Sequence, residues 1–228
     1  MIRYLSLLLL AYTLCSCDAT PDGKTEKILL QFQRADDALK QKIFSRKKLI
    51  PEIADKDLTP ESKYRENNYD TDRPPIDTTS NWRLEVRGLV KYPGYYTLDQ
   101  IKTLGMTVEN AKHVCVEGWS QNVKWGGTQL YRFLDWIGAD PKAEYMYVEC
   151  ADKYYESYDI ESARHPQTLL CYEAYNKPLT LERGAPCRIV MPTKLGYKSA
   201  KWILKLVVTD KKPGGYWEDQ GYDWHAGI

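Results

Sequence analysis

Ala111-Lys112-His113-Val114-Cys115-Val116-Glu117-Gly118-Trp119-Ser120, followed by Trp125-Gly126-Gly127, is the stretch around which the chain is organised. Val108 to Val114 reads as a strand-like approach, interrupted by Asn110 and Lys112. It delivers one cysteine to a point where Gly118 and the later glycines let the backbone turn sharply. A thiol is presented there. No CxxC, HxxxH or second nearby cysteine accompanies Cys115, so its spacing gives neither a zinc cage nor a dithiol pair. Two readings of these residues stay open: a buried structural cysteine, and one soft ligand to a metal whose other ligands belong to a cofactor.

The 228 residues, 43% of them hydrophobic, suffice for one good core with a small appendage. A formal charge of +1 gives no electrostatic case for nucleic acid, which calls for a clustered basic excess. Tyrosine and tryptophan, at 18 and 7, far outnumber the 3 phenylalanines, favouring half-buried rings with a polar tip. A β-rich domain with a polar cleft suits that usage.

Met1 to Cys17 reads as a targeting leader, with Arg3 as its positive end and Leu7 to Leu14 as an apolar run too short to span a bilayer. From Thr20 to about Asp57 the chain turns polar. Ile28, Leu29, Phe32, Ala35, Ala38, Leu39, Ile43 and Phe44 fall near helical spacing, so an amphipathic helix is expected from Thr25 to about Ser45. Such a helix packs on the domain, spaces it from an anchor, or offers a face to a membrane partner.

Trp82 to Val90 alternates as a half-buried strand, and Thr97 is a suitable cap for a short helix from Leu98. Thr128 to Ile137 is expected helical, with Gly138 past its end. Tyr145 to Cys150, Leu169 to Tyr175, Cys187 to Met191 and Ile203 to Thr209 read as strands. Many short strands with few short helices and no repeats give an α+β domain. The divisions expected are a leader over 1–17, a polar linker with its helix over 18–60, and the main domain over 61–228.

Cys115-Val116-Glu117-Gly118-Trp119-Ser120 with Trp125-Gly126-Gly127 resembles the cofactor segment of the sulfite oxidase molybdopterin-binding family. Further pieces follow in the family's order: Gly184-Ala185-Pro186-Cys187-Arg188-Ile189-Val190-Met191-Pro192, then Gly196-Tyr197-Lys198-Ser199-Ala200-Lys201-Trp202, then Gly215-Tyr216-Trp217 and Gly221-Tyr222. The resemblance runs from about Tyr64 to Tyr222. It implies a sulfite-oxidase-type molybdopterin-binding fold of mixed β-sheets with short helices, and a molybdenum-molybdopterin cofactor with Cys115 as the protein's ligand to the metal. Arg188, Ser199, Ala200 and Lys201 match cofactor-binding positions. Physics agrees for the two cations, because a guanidinium or ammonium entering a buried strand needs an anion. Asn67 and Asn68, with Arg65 as a further candidate, lie in the run Tyr64 to Asp70 that would cross the cofactor. Arg183 stands where the family commonly has His or Asn; it donates hydrogen bonds but accepts none. Cys150 matches a position near the metal, although a small core residue or a disulfide with Cys171 or Cys187 fits as well. Tyr222 matches a tyrosine beside the substrate pocket. His113, His165 and His225 receive no role.

The resemblance implies oxygen-atom transfer by two electrons. Sulfite oxidases surround their anionic substrate with arginines, one of them shortly after the metal-binding cysteine, whereas this chain has Trp119-Ser120 there. It is closer to the periplasmic branch that reduces methionine sulfoxide in proteins, and sulfoxide reduction is expected ahead of sulfite oxidation. A sulfite dehydrogenase and a non-catalytic lipoprotein binding module are the alternatives. A metal-free thiol enzyme is weaker, since Cys115 lacks a convincing base. No CxxCH is present, so no haem is expected in the chain, and electrons would come from a membrane haem or quinol-linked partner. Leu14-Cys15-Ser16-Cys17 resembles a bacterial lipobox, making Cys17 the lipidation site and the protein periplasmic or extracytoplasmic and lipid-anchored to the membrane. Asp18 resembles an inner-membrane retention signal. The family's exported members generally use a twin-arginine leader; this one has only Arg3. Its usual C-terminal dimerisation domain is not seen, and a monomer is expected.

Overall fold

The computed structural model describes residues 48–70 and 80–228, together with Lys27, Ile28, Gln31, Phe32, Ala35 and Leu39. The expected leader and its Cys17 lie outside the described residues. The chain divides into two units, Met1–Ile43 and Phe44–Ile228. In the first, those six residues are helical, within the helix expected from Thr25, and Ile28, Phe32 and Leu39 are exposed.

The second unit is built on ten strands among its described residues: β1 Arg83–Gly88, β2 Gly94–Thr97, β3 Thr107–Val114, β4 Ser120–Gln129, β5 Tyr145–Cys150, β6 Tyr155–Asp159, β7 Leu169–Ala174, β8 Lys177–Pro178, β9 Arg188–Val190 and β10 Ile203–Thr209. Three short helices accompany them: α1 Leu98–Lys102, α2 Leu130–Trp136 and α3 Ile160–Ala163. One sheet runs β2-β1-β10-β5-β6, the other β3-β4-β7-β8 with β9 also on β7. β1 and β10 pair in parallel and the remaining pairs are antiparallel, so the first sheet is mixed, as expected.

Period-two alternation buries Leu84 and Val86 of β1 and Met146 and Val148 of β5 in the main core. Leu130, Phe133, Leu134 and Ile137, three to four apart, close that core. Where a helix was expected from Thr128, the chain stays extended through Gln129, because Thr128 and Gln129 are still paired with Leu170 and Leu169 of β7. Thr97 caps α1 with a complete capping box to Gln100. Gly127 is required by packing: a Cβ there would sit 2.4 Å from the Leu170 carbonyl oxygen. The segment before Tyr64, expected to be linker, is tied to the second sheet. The Ile53 N–H reaches the Asn110 carbonyl at 3.2 Å, and the Thr59 N–H reaches that of Asn122 at 2.9 Å.

Candidate active site

β3 and β4 form a continuous antiparallel pair from Thr107↔Gly127 to Val114↔Ser120, so Asn110 and Lys112 do not interrupt the strand. Cys115 is the first residue past β3. Its N–H bonds the Trp119 carbonyl at 2.9 Å, and Gly118, with φ +88°, turns the chain back, its N–H on the Cys115 carbonyl at 3.1 Å. The tip of this hairpin fixes the thiol. Asn67 Nδ2 lies 3.7 Å from the sulfur and Glu117 Oε2 3.8 Å, both long contacts. Burial is the first cause that raises the Cys115 thiol above its ordinary value.

The register of the run through Asn67 is set by Gln121 on β4. Its Oε1 accepts from the Arg65 N–H at 2.8 Å and its Nε2 donates to the Arg65 carbonyl at 3.1 Å. Asn67 thereby faces Cys115, and Asn68 Oδ1 accepts from Lys201 Nζ. Arg65 itself stacks on Trp119, 4.9 Å from the ring centre.

A cavity of about 260 Å³ opens between these parts, lined by Cys115, Asn67, Asn68, Arg188, Ser199, Ala200, Lys201 and Tyr222. Sequence reasoning had placed all eight in one site. Two other candidates are elsewhere. Arg183 turns its guanidinium to Glu61 at 2.9 Å and Glu66 at 3.3 Å, so its charge is met by carboxylates. Cys150 ends β5 inside the main core and does not line the cavity, because the alternation of β5 points it inward with Met146 and Val148. Cys115, Cys150, Cys171 and Cys187 are all free thiols, so neither disulfide considered for Cys150 is formed.

Arg188 shows what the site lacks. It is buried, and its guanidinium reaches only carbonyl oxygens: Arg183 at 3.0 Å, Ser199 at 2.9 Å and Ile189 at 3.4 Å. No carboxylate pairs with it among the described residues. Lys201 stands close by, and burial followed by the Arg188 charge lowers its ammonium to about 7. The same two cations, after burial, push His113 down to about 3. Glu66, in the lining, feels the charge of both cations but forms an ion pair with neither among the described residues, and a further anionic group held by direct hydrogen bonds would relieve them. Gly196 lies where a Cβ would meet His113 Nε2 at 2.6 Å, so the turn Gly196–Lys198 packs directly on that ring. This donor set fits a molybdopterin: one thiol for the metal, and Arg188, Lys201 and the Ser199 region for the pterin's phosphate.

Sequence reasoning missed His113, Glu117, Trp119, Tyr154 and Trp217 in the lining. For His113 a signal existed: two residues before Cys115 on a regular strand, it shares the thiol's face. Glu117 is ionised more readily than usual, chiefly because the Trp119 indole donates to it at 2.7 Å. Tyr222 is exposed and stacks on Trp217 at 4.9 Å and Tyr197 at 5.9 Å.

Residues 71–217 match the family model of the oxidoreductase molybdopterin binding domain. A protein of Azospira oryzae named as a candidate protein-methionine-sulfoxide reductase subunit, YedZ1, is 39% identical over 214 residues, covering 94% of this chain and 81% of that protein. The protein-methionine-sulfoxide reductase catalytic subunit MsrP of Ralstonia nicotianae is 33% identical over 60% of this chain. The chain spans 46% of that relative's length. Among solved structures, the sulfane dehydrogenase SoxCD of Paracoccus pantotrophus shares the fold, with a TM-score of 0.56 at 24% identity over 60% of this chain and 40% of the other.

Proposed function

The chain belongs to the oxidoreductase molybdopterin-binding family, and from that premise we propose that it reduces sulfoxides of the methionine sulfoxide type. The observation that carries this reading is the charge of the exposed lining. Arg65 stands there against two carboxylates, Glu66 and Glu117, beside Val116, Trp119 and Tyr222. A sulfite anion needs a cluster of cations and would meet Glu117 instead. A neutral sulfoxide needs apolar and aromatic walls with one or two hydrogen-bond donors. Relatives named for methionine sulfoxide reduction support the same direction.

In this reading molybdopterin supplies the two-electron oxygen-atom chemistry. The protein's residues do the rest. Cys115 would hold the metal as a thiolate, having given up the proton that burial otherwise keeps on the sulfur. Asn67 donates toward that sulfur and holds its orientation. Arg188 and Lys201 take the phosphate end. Tyr222 and Trp217 line the cavity with rings, and the Tyr222 hydroxyl would donate to a sulfoxide oxygen. Electrons come from a separate membrane haem or quinol-linked partner, and the protein works lipid-anchored through Cys17 on the periplasmic face.

Steady-state assays on molybdenum-loaded protein test the proposal, with reduced viologen and methionine sulfoxide in one arm and sulfite with an acceptor dye in the other. Sulfoxide turnover is expected. Vigorous sulfite oxidation without sulfoxide reduction would reverse the assignment.

A further inference from the structure

A second set of buried charges borders the same cavity. Glu156 on β6 and Lys198 on the turn Gly196–Lys198 are sealed from solvent, and the Glu218 side chain is only 6% exposed. Lys198 Nζ donates to Glu156 Oε1 at 2.8 Å and to the Ser157 carbonyl at 3.1 Å, and it pairs with Glu218 Oε1. Gly215 packs against both acids: a Cβ there would lie 2.1 Å from Glu218 Oε2 and 2.6 Å from Glu156 Oε1. Two carboxylates therefore share one ammonium. With both ionised, a net negative charge is buried, and one proton removes it.

The hydrogen bonds say where that proton sits. Tyr154 Oη lies 2.7 Å from the Tyr197 carbonyl oxygen and 3.0 Å from Glu156 Oε2. A phenol has one proton to donate, and a carbonyl oxygen only accepts. With the Tyr154 proton on the shorter bond, the contact to Glu156 is a hydrogen bond only if the acid carries the other proton. Burial, ahead of every other cause, pushes the Glu156 carboxyl up to about 7. The charged and titratable groups facing Glu156 are Tyr154 and Tyr158 from its own stretch, Cys150 from β5, Tyr197 and Lys198 from the neighbouring turn, and Glu218. Lys198 alone among them is cationic. Tyr154 lines the cavity that holds Cys115.

We propose that Glu156 stores a proton and that Tyr154 relays it into the active-site cavity, with Lys198 and Glu218 holding the store in place. The idea rests on the sulfoxide-reductase reading. There, a sulfoxide, two electrons from a reduced donor and two protons give a sulfide and water. The Glu156 Oε2–H bond breaks as a proton moves to Tyr154 Oη, and the Tyr154 hydroxyl, turned from the Tyr197 carbonyl into the cavity, gives its own phenolic proton to the oxygen that leaves as water. Glu156 is left as a carboxylate beside Lys198 and is reprotonated through Tyr154 from water in the cavity before the second transfer.

Glu156→Gln keeps an acceptor for Lys198 and a donor for Tyr154 but holds no transferable acid proton. In molybdenum-loaded protein reducing methionine sulfoxide with reduced viologen, wild-type kcat should fall as pH rises through about 7. The variant should lose about tenfold or more in kcat with KM little changed, and its profile should be flat across that pH range. Tyr154→Phe, which leaves the charge cluster intact, should give the same loss, and Glu156→Asp should restore part of the pH dependence. Infrared difference spectra of the apoprotein give a readout independent of turnover: a carboxylic acid band that titrates near pH 7 and is missing in Glu156→Gln. An active wild type whose Glu156→Gln variant keeps the full rate and pH profile overturns the relay alone, as does absence of the band. A wild type inactive on sulfoxide overturns the reductase reading and the relay with it.

Discussion

Lys201→Met should make the apoprotein more stable and the enzyme worse. The Lys201 ammonium is lowered from 10.5 to about 7, so the unfolded chain binds more protons than the folded one between those values. Stability therefore rises with pH across that window, and below about 7 the full cost of the buried cation is present. At roughly 1.4 kcal/mol per unit the gap caps the cost at about 5 kcal/mol. Partial exposure reduces this to about 2–3 kcal/mol. Losing the bonds to Asn68 Oδ1 and to the Glu182 carbonyl at 2.9 Å takes back roughly 1 kcal/mol. In urea unfolding at pH 6 the variant apoprotein should gain about 1–2 kcal/mol, and the gain should shrink by pH 9.5. Its molybdenum content after cofactor loading should fall, because a charge-assisted hydrogen bond to phosphate is worth about 1.5–3 kcal/mol. A variant that is less stable at pH 6 and loads as fully as wild type would refute the anion-cradle argument.

Cys115→Ser should change apoprotein stability by less than about 1 kcal/mol, because the thiol's contacts at 3.7 and 3.8 Å are weak. Turnover and bound molybdenum should both be lost, checked by assay and elemental analysis. His113→Gln should flatten acid destabilisation. The wild-type imidazole is held down at about 3, so stability is lost as pH falls below its unfolded value of 6.5, and urea midpoints between pH 7 and 4 would show the difference. Gly196→Ala should cost about 1–3 kcal/mol by overpacking, since the new methyl would stand 2.6 Å from His113 Nε2 and 3.3 Å from the Val114 carbonyl oxygen. Its thermal midpoint and its cofactor loading should drop together.

The strands were legible wherever period two met β-branched or aromatic residues: β5 and β10 have the bounds expected, and β7 and β9 differ by a residue at one or both ends. β6 was not seen, because Tyr155-Glu156-Ser157-Tyr158-Asp159 has no apolar alternation. It is buried through its charges and rings instead. The hairpin tip at Cys115 could be read from Gly118, a local signal. The positions of Asn67 and Asn68 followed only from the family resemblance and not from any local pattern, since they depend on Gln121 reaching Arg65 across 56 residues. The relay cluster was invisible for the same reason: Glu156, Lys198 and Glu218 come from three separated segments, and none carries a local pattern.

Arg183 and Arg188 make the limit concrete. Both were candidates for the cofactor, both are buried or nearly so, and they lie five residues apart on the same approach to β9. What separates them is which segment faces each. The strap before Tyr64 and the polar run after it bring Glu61 and Glu66 to Arg183, and Tyr64 stacks under its guanidinium at 4.5 Å. Arg188 is met by three backbone carbonyls and the Trp125 ring at 5.1 Å, which orient the guanidinium but give it no ion pair among the described residues; Glu66 feels its charge without bonding to it. A fold tolerates a buried cation with no ion pair when a ligand brings the missing charge, so in the reading proposed above it is Arg188, with Lys201 beside it, that would hold the phosphate. The carbonyl of Arg183 is one of the three that aim Arg188. In that reading Arg183 would serve the cofactor from outside the cavity, through the carbonyl that points its neighbour.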